Sequence, residues 1–391
     1  MMKKIAAASS ETTNKSHILF VGSAFPPSAG GSSIVMSRLL ENLNSLSYSI
    51  VTLTECSYIM KDSNYMIPTC GILRLHTLIS RPYRLSVWCR LLTLPYYLIR
   101  SIRFAKKEGA TKVVAVYPTL DFLALGMILA RILHLPFYPY LHDTVAEGNE
   151  KNSLTWVAKF IQREVFLSSR KVLVMSSGMS DLMKRKYSIE AIPIRHINSL
   201  ERKYLKPSQK FKCHGLFFGG AMYTINDAAV KRVAKAAKLI GELLECSGIR
   251  SPIIDQYGSV LVSPMRYKTS SEYLSAIETK SILILALNKP FESNVGADEL
   301  ATIFPTKTPE YLLSGRPILV HCPKEYFLAR FFHDNDCGMV VESDKIEDIA
   351  LAMQQLLSRE ELAKKFVYNA YKTARQFNAE SVASDFINAI A

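Results

Sequence analysis

The stretch HILFVGSAFPPSAGGSSIVMSRLLENL, residues 17–43, decides how the chain begins to fold. Its first nine residues are almost all apolar, which predicts a buried strand. A loop of Pro, Gly and Ser follows, and then Ile34, Leu39 and Leu43 lie along one side of a predicted helix. A buried strand, a glycine loop and an amphipathic helix in this order indicate the first half of a βαβ unit in a parallel sheet.

The same alternation of apolar runs and helix-length segments continues along most of the chain. It is interrupted by a polar, basic segment near residue 200 and then restarts. The predicted strands before this segment include SIVTLT (49–54), KVVAVYP (112–118), FYPYLHD (137–143) and KVLVMSS (171–177). The predicted strands after it are GLFFGG (215–220), IIDQYG (253–258), SILILAL (281–287), RPILVHC (316–322) and CGMVVES (337–343).

The length of the chain favours two domains. At 391 residues it is too long for one ordinary hydrophobic core. We therefore predict an α/β protein of two doubly wound, Rossmann-like domains whose parallel sheets face a cleft. The N-terminal domain is predicted for residues 1–203, the C-terminal domain for 204–378, and a final helix for 379–391.

Cysteine spacing and hydropathy predict the cellular compartment. The seven cysteines are scattered without a C-x-x-C pair, which favours free thiols in a reducing environment. No apolar run approaches 18 residues, and the apolar run near the start is too short for a signal peptide. These features predict a cytoplasmic protein.

Two glycine pairs follow predicted strands and are candidates for phosphate binding. Gly30 and Gly31 precede the first helix, and Gly219 with Gly220 precede the helix that opens the second half. Glycine lets a backbone approach a ligand closely, and a helix N-terminus offers unpaired N–H groups to an anion. The alternative is that both segments are tight turns that carry ordinary helix caps.

A third candidate is the stretch FPTKTPEYLLSGRPILV, residues 304–320. Its prolines predict a stiff loop, and a helix of one to two turns ends at Gly315. Glu310 in the first turn can accept two ribose hydroxyls, and Lys307 just before the helix can neutralise a diphosphate. The alternative is that Glu310 only stabilises the N-terminus of its own helix.

Together these segments resemble a GT-B glycosyltransferase, of the kind grouped in glycosyltransferase family 4. The resemblance spans nearly the whole chain and depends on the order of the segments. The matching segments are FPPSAGGSS (25–33), YLHD (140–143), VLVMSSGMSDLM (172–183), FFGG (217–220), SAIETKSILILAL (275–287), FPTKTPEYLLSGRPIL (304–319) and CGMVVESDKIEDIALAMQQLL (337–357).

The resemblance implies where the substrates bind. A nucleotide-sugar donor, with UDP or GDP as the expected carrier, would bind mainly to the second domain and the acceptor to the first. Glu310 would hold the ribose, and Thr306 and Lys307 would lie beside the diphosphate. Gly30 and Gly31 would cap the phosphates from the other domain.

The resemblance also implies a role for His142, a final helix that crosses back to the first domain, and no metal or other cofactor. His142 would lie near the sugar and the acceptor; the alternative is that His142 and Asp143 form a simple turn. The chain departs from the family pattern at Thr302, where an acidic residue is usual. Asp298 or Glu299 would have to replace that acid.

A second departure concerns the positive charge beside the donor. The family usually carries an arginine and a lysine after the first strand of the second domain. Here the nearest cations, Lys231 and Arg232, lie within the following helix. Lys307 is therefore the candidate to supply the missing charge.

These features lead to the hypothesis that the chain transfers a sugar from a nucleoside diphosphate to a hydroxyl acceptor with retention of configuration. Lys307, the backbone of Gly30 and Gly31 and the helix N-terminus behind Gly220 would stabilise the departing diphosphate. Domain closure would exclude water. A nucleotide-sugar epimerase of the same fold and a non-catalytic nucleotide-binding protein remain alternatives.

Positive charge is concentrated in the first half of the chain. Residues 1–203 hold 26 Lys and Arg against 13 Asp and Glu, and residues 81–107 hold seven basic side chains and no acid. Arg84, Trp88, Arg90, Arg100 and Arg103 are its candidate acceptor or membrane face. Interleaved cations and aromatics favour an anionic membrane surface.

We therefore expect peripheral contact with the inner face of the membrane and a lipid-linked or glycan acceptor, as in surface polysaccharide synthesis. The alternative for residues 81–107 is a helix pair with a buried apolar side and solvated arginines. No nucleic-acid recognition motif accompanies the charge.

Overall fold

A computed structural model describes residues 16–23, 25–26, 31–44, 46–53, 70–76, 92–151, 155–198, 215–220, 222–247, 262–264 and 270–391. Within these residues the chain forms two parallel sheets flanked by helices. The predicted α/β class with two doubly wound units is therefore confirmed. The predicted domain boundary at residue 203 lies outside the described residues.

The first sheet has seven described strands in the order β3-β2-β1-β4-β5-β6-β7. All neighbouring strands in it are parallel. Its strands are β1 (His17–Val21), β2 (Ser47–Leu53), β3 (Gly71–Leu75), β4 (Lys112–Tyr117), β5 (Phe137–Leu141), β6 (Leu173–Val174) and β7 (Ile192–Pro193). The helices between them are α1 (Gly31–Glu41), α2 (Leu94–Lys107), α3 (Leu120–Leu133), α4 (Thr155–Ser168) and α5 (Ser177–Tyr187).

The second sheet has six described strands in the order β10-β9-β8-β11-β12-β13, again parallel. Its strands are β8 (Leu216–Phe218), β9 (Leu244–Cys246), β10 (Val262–Pro264), β11 (Ile282–Ala286), β12 (Ile318–His321) and β13 (Met339–Val341). Its helices are α6 (Asp227–Leu239), α7 (Ser270–Glu278), α8 (Ala297–Thr302), α9 (Thr308–Leu313), α10 (Phe327–Asp334), α11 (Ile346–Ser358) and α12 (Glu360–Ala374). Three-residue 3-10 helices cover Pro290–Glu292 and Arg375–Phe377.

The final helix, α13 (Ala379–Ile390), returns to the first sheet. Phe386 stacks on Phe20 of β1 with ring centres 6.0 Å apart, and it also packs against Tyr140 of β5. The Lys112 ammonium donates a hydrogen bond of 2.7 Å to the Ile390 carbonyl at the end of the helix. The predicted crossover to the first domain is thus confirmed, because α13 completes that domain's hydrophobic core.

The carboxyl edges of the two sheets face each other. The Thr144 backbone after β5 donates to Glu299 of α8, and the Ser176 hydroxyl after β6 donates to the Thr302 carbonyl at 3.3 Å. The Gly296 N–H donates to the Glu147 carbonyl at 3.0 Å. Loops at these edges carry the ligand sites of open α/β sheets, so the cleft between them is the place to look for function.

Several short strands were not predicted. β3 is an edge strand with only Leu75 fully buried, and β7 and β9 have two and three residues. Such strands lack the long apolar run that identifies a central strand. The predicted strand IIDQYG (253–258) lies outside the described residues.

Candidate functional site at the interdomain cleft

Glu310 lies at the N-terminal end of α9, directly under the first domain. Helix α9 spans six residues and is followed by Gly315 in a left-handed conformation (φ +71°), as the sequence predicted. The Glu310 carboxylate accepts a hydrogen bond from the guanidinium of Arg38 on α1, and both side chains are about nine-tenths buried. The predicted ribose-binding carboxylate therefore faces the cleft and is engaged by a cation from the opposite domain.

Lys307 lies one turn earlier and points toward the second domain's glycine loop. Its ammonium donates to the Gly219 carbonyl and lies 3.5 Å from the centre of the Phe218 ring. Burial lowers the pKa of Lys307 to about 7, while nearby Cys246 and Glu310 act in the opposite direction. A bound anion would favour the charged ammonium, so this group is placed to respond to a phosphate.

The glycine loop after β8 is held by hydrogen bonds within the second domain. The Gly219 N–H donates to the Tyr311 hydroxyl at 2.8 Å, and the Gly220 N–H donates to the Ser247 hydroxyl at 2.8 Å. Gly220 has φ +93°, which only glycine adopts readily. Phosphate binding through these two N–H groups would require them to exchange partners.

The helix N-terminus behind Gly220 is similarly occupied. In α6 the Ala228 N–H donates to the Asp227 carboxylate, and the Ala229 N–H donates to the Asn288 side chain at 2.9 Å. The Asp227 N–H donates to the Tyr223 carbonyl. The first turn of α6 therefore offers no free donor to a phosphate in this conformation, and Lys307 is the stronger candidate.

Gly31, at the start of α1, meets the 304–310 segment directly. A Cβ atom on Gly31 would lie 3.2 Å from the Thr306 side chain, so the two predicted donor-site residues are in close contact across the cleft. Gly30, the other predicted glycine of this loop, lies outside the described residues. The absence of a side chain at Gly31 is what allows α1 to approach Thr306 this closely.

His142 follows β5 and is buried beside a second histidine, His196. Neither ring nitrogen of His142, nor Nδ1 of His196, has a hydrogen-bond partner among the described residues. Burial lowers the pKa of His142 to about 3, and the neighbouring His196 acts in the same direction. Burial and the Arg38 charge lower the pKa of His196 to about 3. The site thus contains two neutral imidazoles with unused hydrogen-bonding capacity.

Glu299, but not Asp298, lies in the buried part of the cleft. Its carboxylate accepts hydrogen bonds from the Thr144 N–H and hydroxyl, which join α8 to the loop after β5. Asp298 instead pairs with Lys186 on the surface. Thr302, at the position where the family pattern has an acid, is buried and donates back to the carbonyls of its own helix.

Folding stability should depend on pH through Glu299. Burial, together with the neighbouring Asp143 carboxylate, raises the pKa of Glu299 to about 8. A raised pKa means that the folded state holds a proton which the unfolded state releases, so this stability is lost as pH rises from about 4.5 to 8. We expect Glu299→Gln to become more stable than wild type by about 1 kcal/mol or more at pH 8.5 relative to pH 5.

Urea unfolding at both pH values measures this difference. Asp143→Asn serves as a second variant, because removing its charge should reduce the pH dependence contributed by Glu299. Parallel stability curves for the wild type and Glu299→Gln across this range would contradict the prediction.

Two of the predicted membrane-facing residues, Arg100 and Arg103, lie among the described residues. Arg100 and Arg103 lie on α2, where Arg100 contacts the exposed Tyr96 ring and Arg103 is exposed. Buried Tyr97, Ser101 and Ala105 form the inner face of α2. Arg84, Trp88 and Arg90 lie outside the described residues.

Arg232 is engaged by partners other than the predicted donor-site residues. Arg232 pairs with Glu292 and donates to the His321 imidazole at 3.0 Å, and both partners belong to the second domain. Arg232 is thus part of an ion-pair network at the other end of that sheet's carboxyl edge. Lys307, by contrast, contacts the glycine loop directly through the Gly219 carbonyl.

The chain contains one Asp-x-Asp sequence, Asp334 to Asp336. Paired aspartates often bind divalent cations, so its position relative to the cleft matters. It lies at the C-terminal end of α10, where Asp336 pairs with Lys365 at 2.6 Å and accepts from Asn369. A helix of a βαβ unit ends at the amino edge of its sheet, so this segment lies on the side opposite the cleft.

Two residues of the site, Arg38 and His196, were not predicted. Arg38 stands at a polar position of α1, and its partner Glu310 is 272 residues away. His196 follows the two-residue strand β7, which itself had no clear sequence signal. A basic side chain on the first helix behind a glycine loop is the one sequence feature that could have identified Arg38 as a candidate.

Solved structures with a similar fold cover almost the whole chain. HepE of Anabaena, solved with UDP-glucose, has a TM-score of 0.69 at 11% identity and covers 95% of this chain and 98% of its own. The lipopolysaccharide outer core galactosyltransferase WaaB has a TM-score of 0.63 at 14% identity, with coverage of 96% and 99%. The S. aureus MnaA–UDP structure has a TM-score of 0.58 at 12% identity, with coverage of 96% and 95%.

No protein-family model and no curated protein sequence matches the chain. The structural neighbours include GT-B glycosyltransferases, and at identities of 11–14% their likeness to this chain is one of fold alone. The two parallel sheets, the facing carboxyl edges and the returning C-terminal helix agree with these neighbours. The chain has the GT-B fold.

Proposed function

We propose that this protein is a glycosyltransferase that uses a nucleotide-sugar donor and resembles family 4 in mechanism. The observation that carries the proposal is the placement of Glu310 and Lys307. One turn apart on the chain, they reach the floor of the cleft from the second domain, opposite Gly31 of the first. The structural neighbours solved with UDP or UDP-glucose support a nucleotide as the ligand.

In the proposed reaction the bond between the sugar's anomeric carbon and the diphosphate oxygen breaks, and the bonding electrons leave with the diphosphate. The acceptor oxygen forms a bond to the same carbon on the same face and loses its proton. Lys307 would stabilise the negative charge that grows on the diphosphate, a role that needs no metal ion. The N-terminal end of α1 behind Gly31 would face the same charge.

His142 would orient the sugar rather than accept a proton. A buried imidazole whose pKa lies near 3 stays neutral at physiological pH and is a weak base. Its two unpartnered nitrogens suit a sugar hydroxyl, which both donates and accepts hydrogen bonds. Proton transfer from the acceptor would then use another group, such as the departing phosphate oxygen.

Thermal unfolding with UDP, GDP, ADP and CMP at about 1 mM tests the proposal. A ligand with a dissociation constant near 10 μM would add roughly 2.7 kcal/mol of stability at this concentration. We expect UDP or GDP to raise the unfolding temperature by a few degrees. No shift with any of the four would count against a nucleotide site, and with it against both the transferase and a non-catalytic nucleotide-binding protein.

Product analysis distinguishes a transferase from an epimerase. A transferase releases the nucleoside diphosphate and requires an acceptor or water. An epimerase would return an isomeric nucleotide-sugar when the donor is incubated alone. Detection of that isomer would replace the transferase proposal.

We further propose a lipid-linked acceptor on the cytoplasmic face of a membrane. Helix α2 exposes Tyr96 and Ile99 in its N-terminal half, beside Arg100 and Arg103, and Leu92 just before the helix is also exposed. Helices of a parallel sheet begin at the carboxyl edge, so this apolar and basic surface lies on the side of the cleft. No helix in the described part of the chain is long and apolar enough to cross a membrane.

Helix α4 adds a second exposed strip of the same character. Trp156, Phe160 and Leu167 are each more than 60% exposed and recur on one side of the helix. Lys159 and Arg163 are exposed among them, and α4 packs beside α3, which in turn packs beside α2. Exposed aromatic side chains interleaved with cations suit the interface of an anionic bilayer.

Reversing two charges on α2 should weaken membrane binding. Each cation near an anionic leaflet contributes about 1 kcal/mol. We expect Arg100→Glu with Arg103→Glu to reduce co-sedimentation with phosphatidylglycerol vesicles at least tenfold. The control replaces Lys235 and Lys238, exposed on α6 of the second domain, by glutamate and has the same net charge. Equal losses for both double variants would contradict a specific α2 surface.

A further inference from the structure

We propose that Arg38 is a positioning residue of the donor site, which holds Glu310 for the ribose and makes nucleotide binding depend on closure of the two domains. This inference rests on the proposed function. It concerns a residue of the first domain that would act through Glu310 and would not itself contact the reacting atoms.

Arg38 is built into the helix that carries the glycine loop. Gly31 begins α1 and touches Thr306, and Arg38, two turns later, reaches Glu310. Helix α1 therefore lies along the 306–310 segment, with a close contact near each end. A shift of one domain against the other would break both contacts together.

The guanidinium is fixed from both domains. Its Nη2 donates to Oε1 of Glu310, and its Nη1 donates to the Ile197 carbonyl at 3.2 Å. Next along the chain from Ile197, the Asn198 amide donates to the Pro309 carbonyl at 3.1 Å, beside Glu310 itself. These three hydrogen bonds determine where the Glu310 carboxylate lies when the cleft is closed.

The ion pair leaves part of the carboxylate available. Arg38 engages Oε1, and no described residue donates a hydrogen bond to Oε2. Nε of Arg38 is also buried without a partner among the described residues. A ribose hydroxyl can therefore reach Oε2 while Oε1 stays paired, and a second hydroxyl can share Oε1.

Stability alone is a poor explanation for this pair. A buried ion pair gains little net stability because desolvation of both charges opposes their attraction, and an apolar pair of similar volume often serves as well. The unpartnered Nε adds a further desolvation penalty. The pair does, however, neutralise and orient a carboxylate at the position where the ribose is proposed to bind.

Coupling between binding and closure follows from the same geometry. Glu310 belongs to the second domain, but its orientation depends on Arg38 of the first. A ligand that binds better to the oriented carboxylate favours the closed state, and closure in turn strengthens binding by the same factor. The affinity for the ribose would then depend on the arrangement of both domains and not only on the second domain.

Ribose discrimination provides a test specific to this role. Titration calorimetry with UDP and 2′-deoxy-UDP, and with GDP and 2′-deoxy-GDP, measures how strongly the 2′-hydroxyl contributes. We expect the wild type to prefer the ribose form at least tenfold for the base that it binds. Arg38→Met should reduce this preference to threefold or less, as should Glu310→Gln.

Arg131→Met is the matched control, because it removes an arginine from an exposed ion pair with Glu164 in the same domain. It should keep the wild-type preference. An Arg38→Met protein that binds more weakly but retains the tenfold preference would overturn the proposal, because Arg38 would then not act through the ribose carboxylate.

Small-angle X-ray scattering tests the coupling without requiring any ligand. Arg38→Met should have a larger radius of gyration than the wild type and Arg131→Met, because an interdomain contact is lost. An unchanged radius for Arg38→Met would overturn the link to closure. If the wild type binds none of the nucleotides, the proposed function fails and the ribose role fails with it, whereas the scattering result still decides whether Arg38 holds the domains together.

Discussion

Replacing Glu310 with alanine is expected to weaken nucleoside diphosphate binding about 100-fold or more. In the proposed site its carboxylate accepts hydrogen bonds from two ribose hydroxyls, and a hydrogen bond to a charged group contributes about 1.5–3 kcal/mol. The substitution also leaves the buried Arg38 guanidinium without its anionic partner. Isothermal titration with UDP and GDP measures the loss.

Two further variants separate a local effect from misfolding. Removing one partner of a buried ion pair can cost about 3–5 kcal/mol, so Glu310→Gln, which keeps the side chain's shape, is measured in parallel. Glu164→Ala removes a carboxylate from the exposed Arg131 pair and should bind nucleotide as the wild type does. A folded Glu310→Gln protein that binds within threefold of the wild type would exclude Glu310 from the ribose site.

The central strands were predictable because their sequences carry a strong hydrophobic signal. The strands β1, β4, β5 and β11 are continuous apolar runs that become fully or almost fully buried. The edge strand β3 contains Gly71 and Arg74 and is partly exposed, so its sequence resembles a loop. A strand can be recognised from its sequence when both of its faces are buried, because its residues are then almost all apolar.

The proposed donor site was predictable only where its residues are local in sequence. Lys307 and Glu310 share one loop and one helix turn, so their spacing alone indicated that both could face the cleft. The contact between Arg38 and Glu310 depends on how two domains pack, and no local pattern encodes it. Its two members are therefore recognised as partners only in the folded chain.

The acidic residue that the family pattern has at Thr302 shows the same limit of prediction from local sequence. Both Asp298 and Glu299 were candidates from the sequence, because both lie one turn before Thr302. Helix geometry turns adjacent residues about 100° apart, so only one of them can face the cleft. Glu299 is the residue that lies there, bonded to Thr144, while Asp298 faces Lys186 at the surface. Contact between Glu299 and the sugar remains a prediction.

The hydrogen bonds around the second glycine loop reduce the number of groups that are free to stabilise the diphosphate. The sequence assigned the stabilisation of the diphosphate to Lys307, to Gly30 and Gly31 and to the helix behind Gly220. The first-turn donors of that helix already have protein acceptors, so their share is reduced in this conformation. Most of the charge stabilisation is then left to Lys307 and to the first domain's loop.

Replacing Lys307 with methionine is accordingly expected to lower kcat for cleavage of the donor by about 10²–10³-fold. Preorganised charge at the position where negative charge develops typically contributes this much. Methionine retains much of the apolar stem that packs on Phe218, which limits the structural change. Release of UDP or GDP from the sugar donor that the wild type turns over measures the effect, with water as the acceptor where no other is known.

The pH profile provides an independent check on the same residue. Because burial lowers the pKa of Lys307 to about 7, the ammonium of the free protein is lost as pH rises above 7. The wild-type kcat/KM should therefore fall between pH 7 and 9. Lys307→Arg keeps its charge over this range, so its kcat/KM should be lower overall but nearly independent of pH.

Lys289→Met serves as the control for both measurements, since it removes a lysine of the same domain that pairs with Asp344. Its kcat should stay within about threefold of the wild type, a change of less than 1 kcal/mol. If Lys307→Met also stays within threefold, the diphosphate is stabilised elsewhere. The N-terminus of α1, where Gly31 lies against Thr306, would then be the element to test next, because a helix N-terminus offers unpaired N–H groups to an anion.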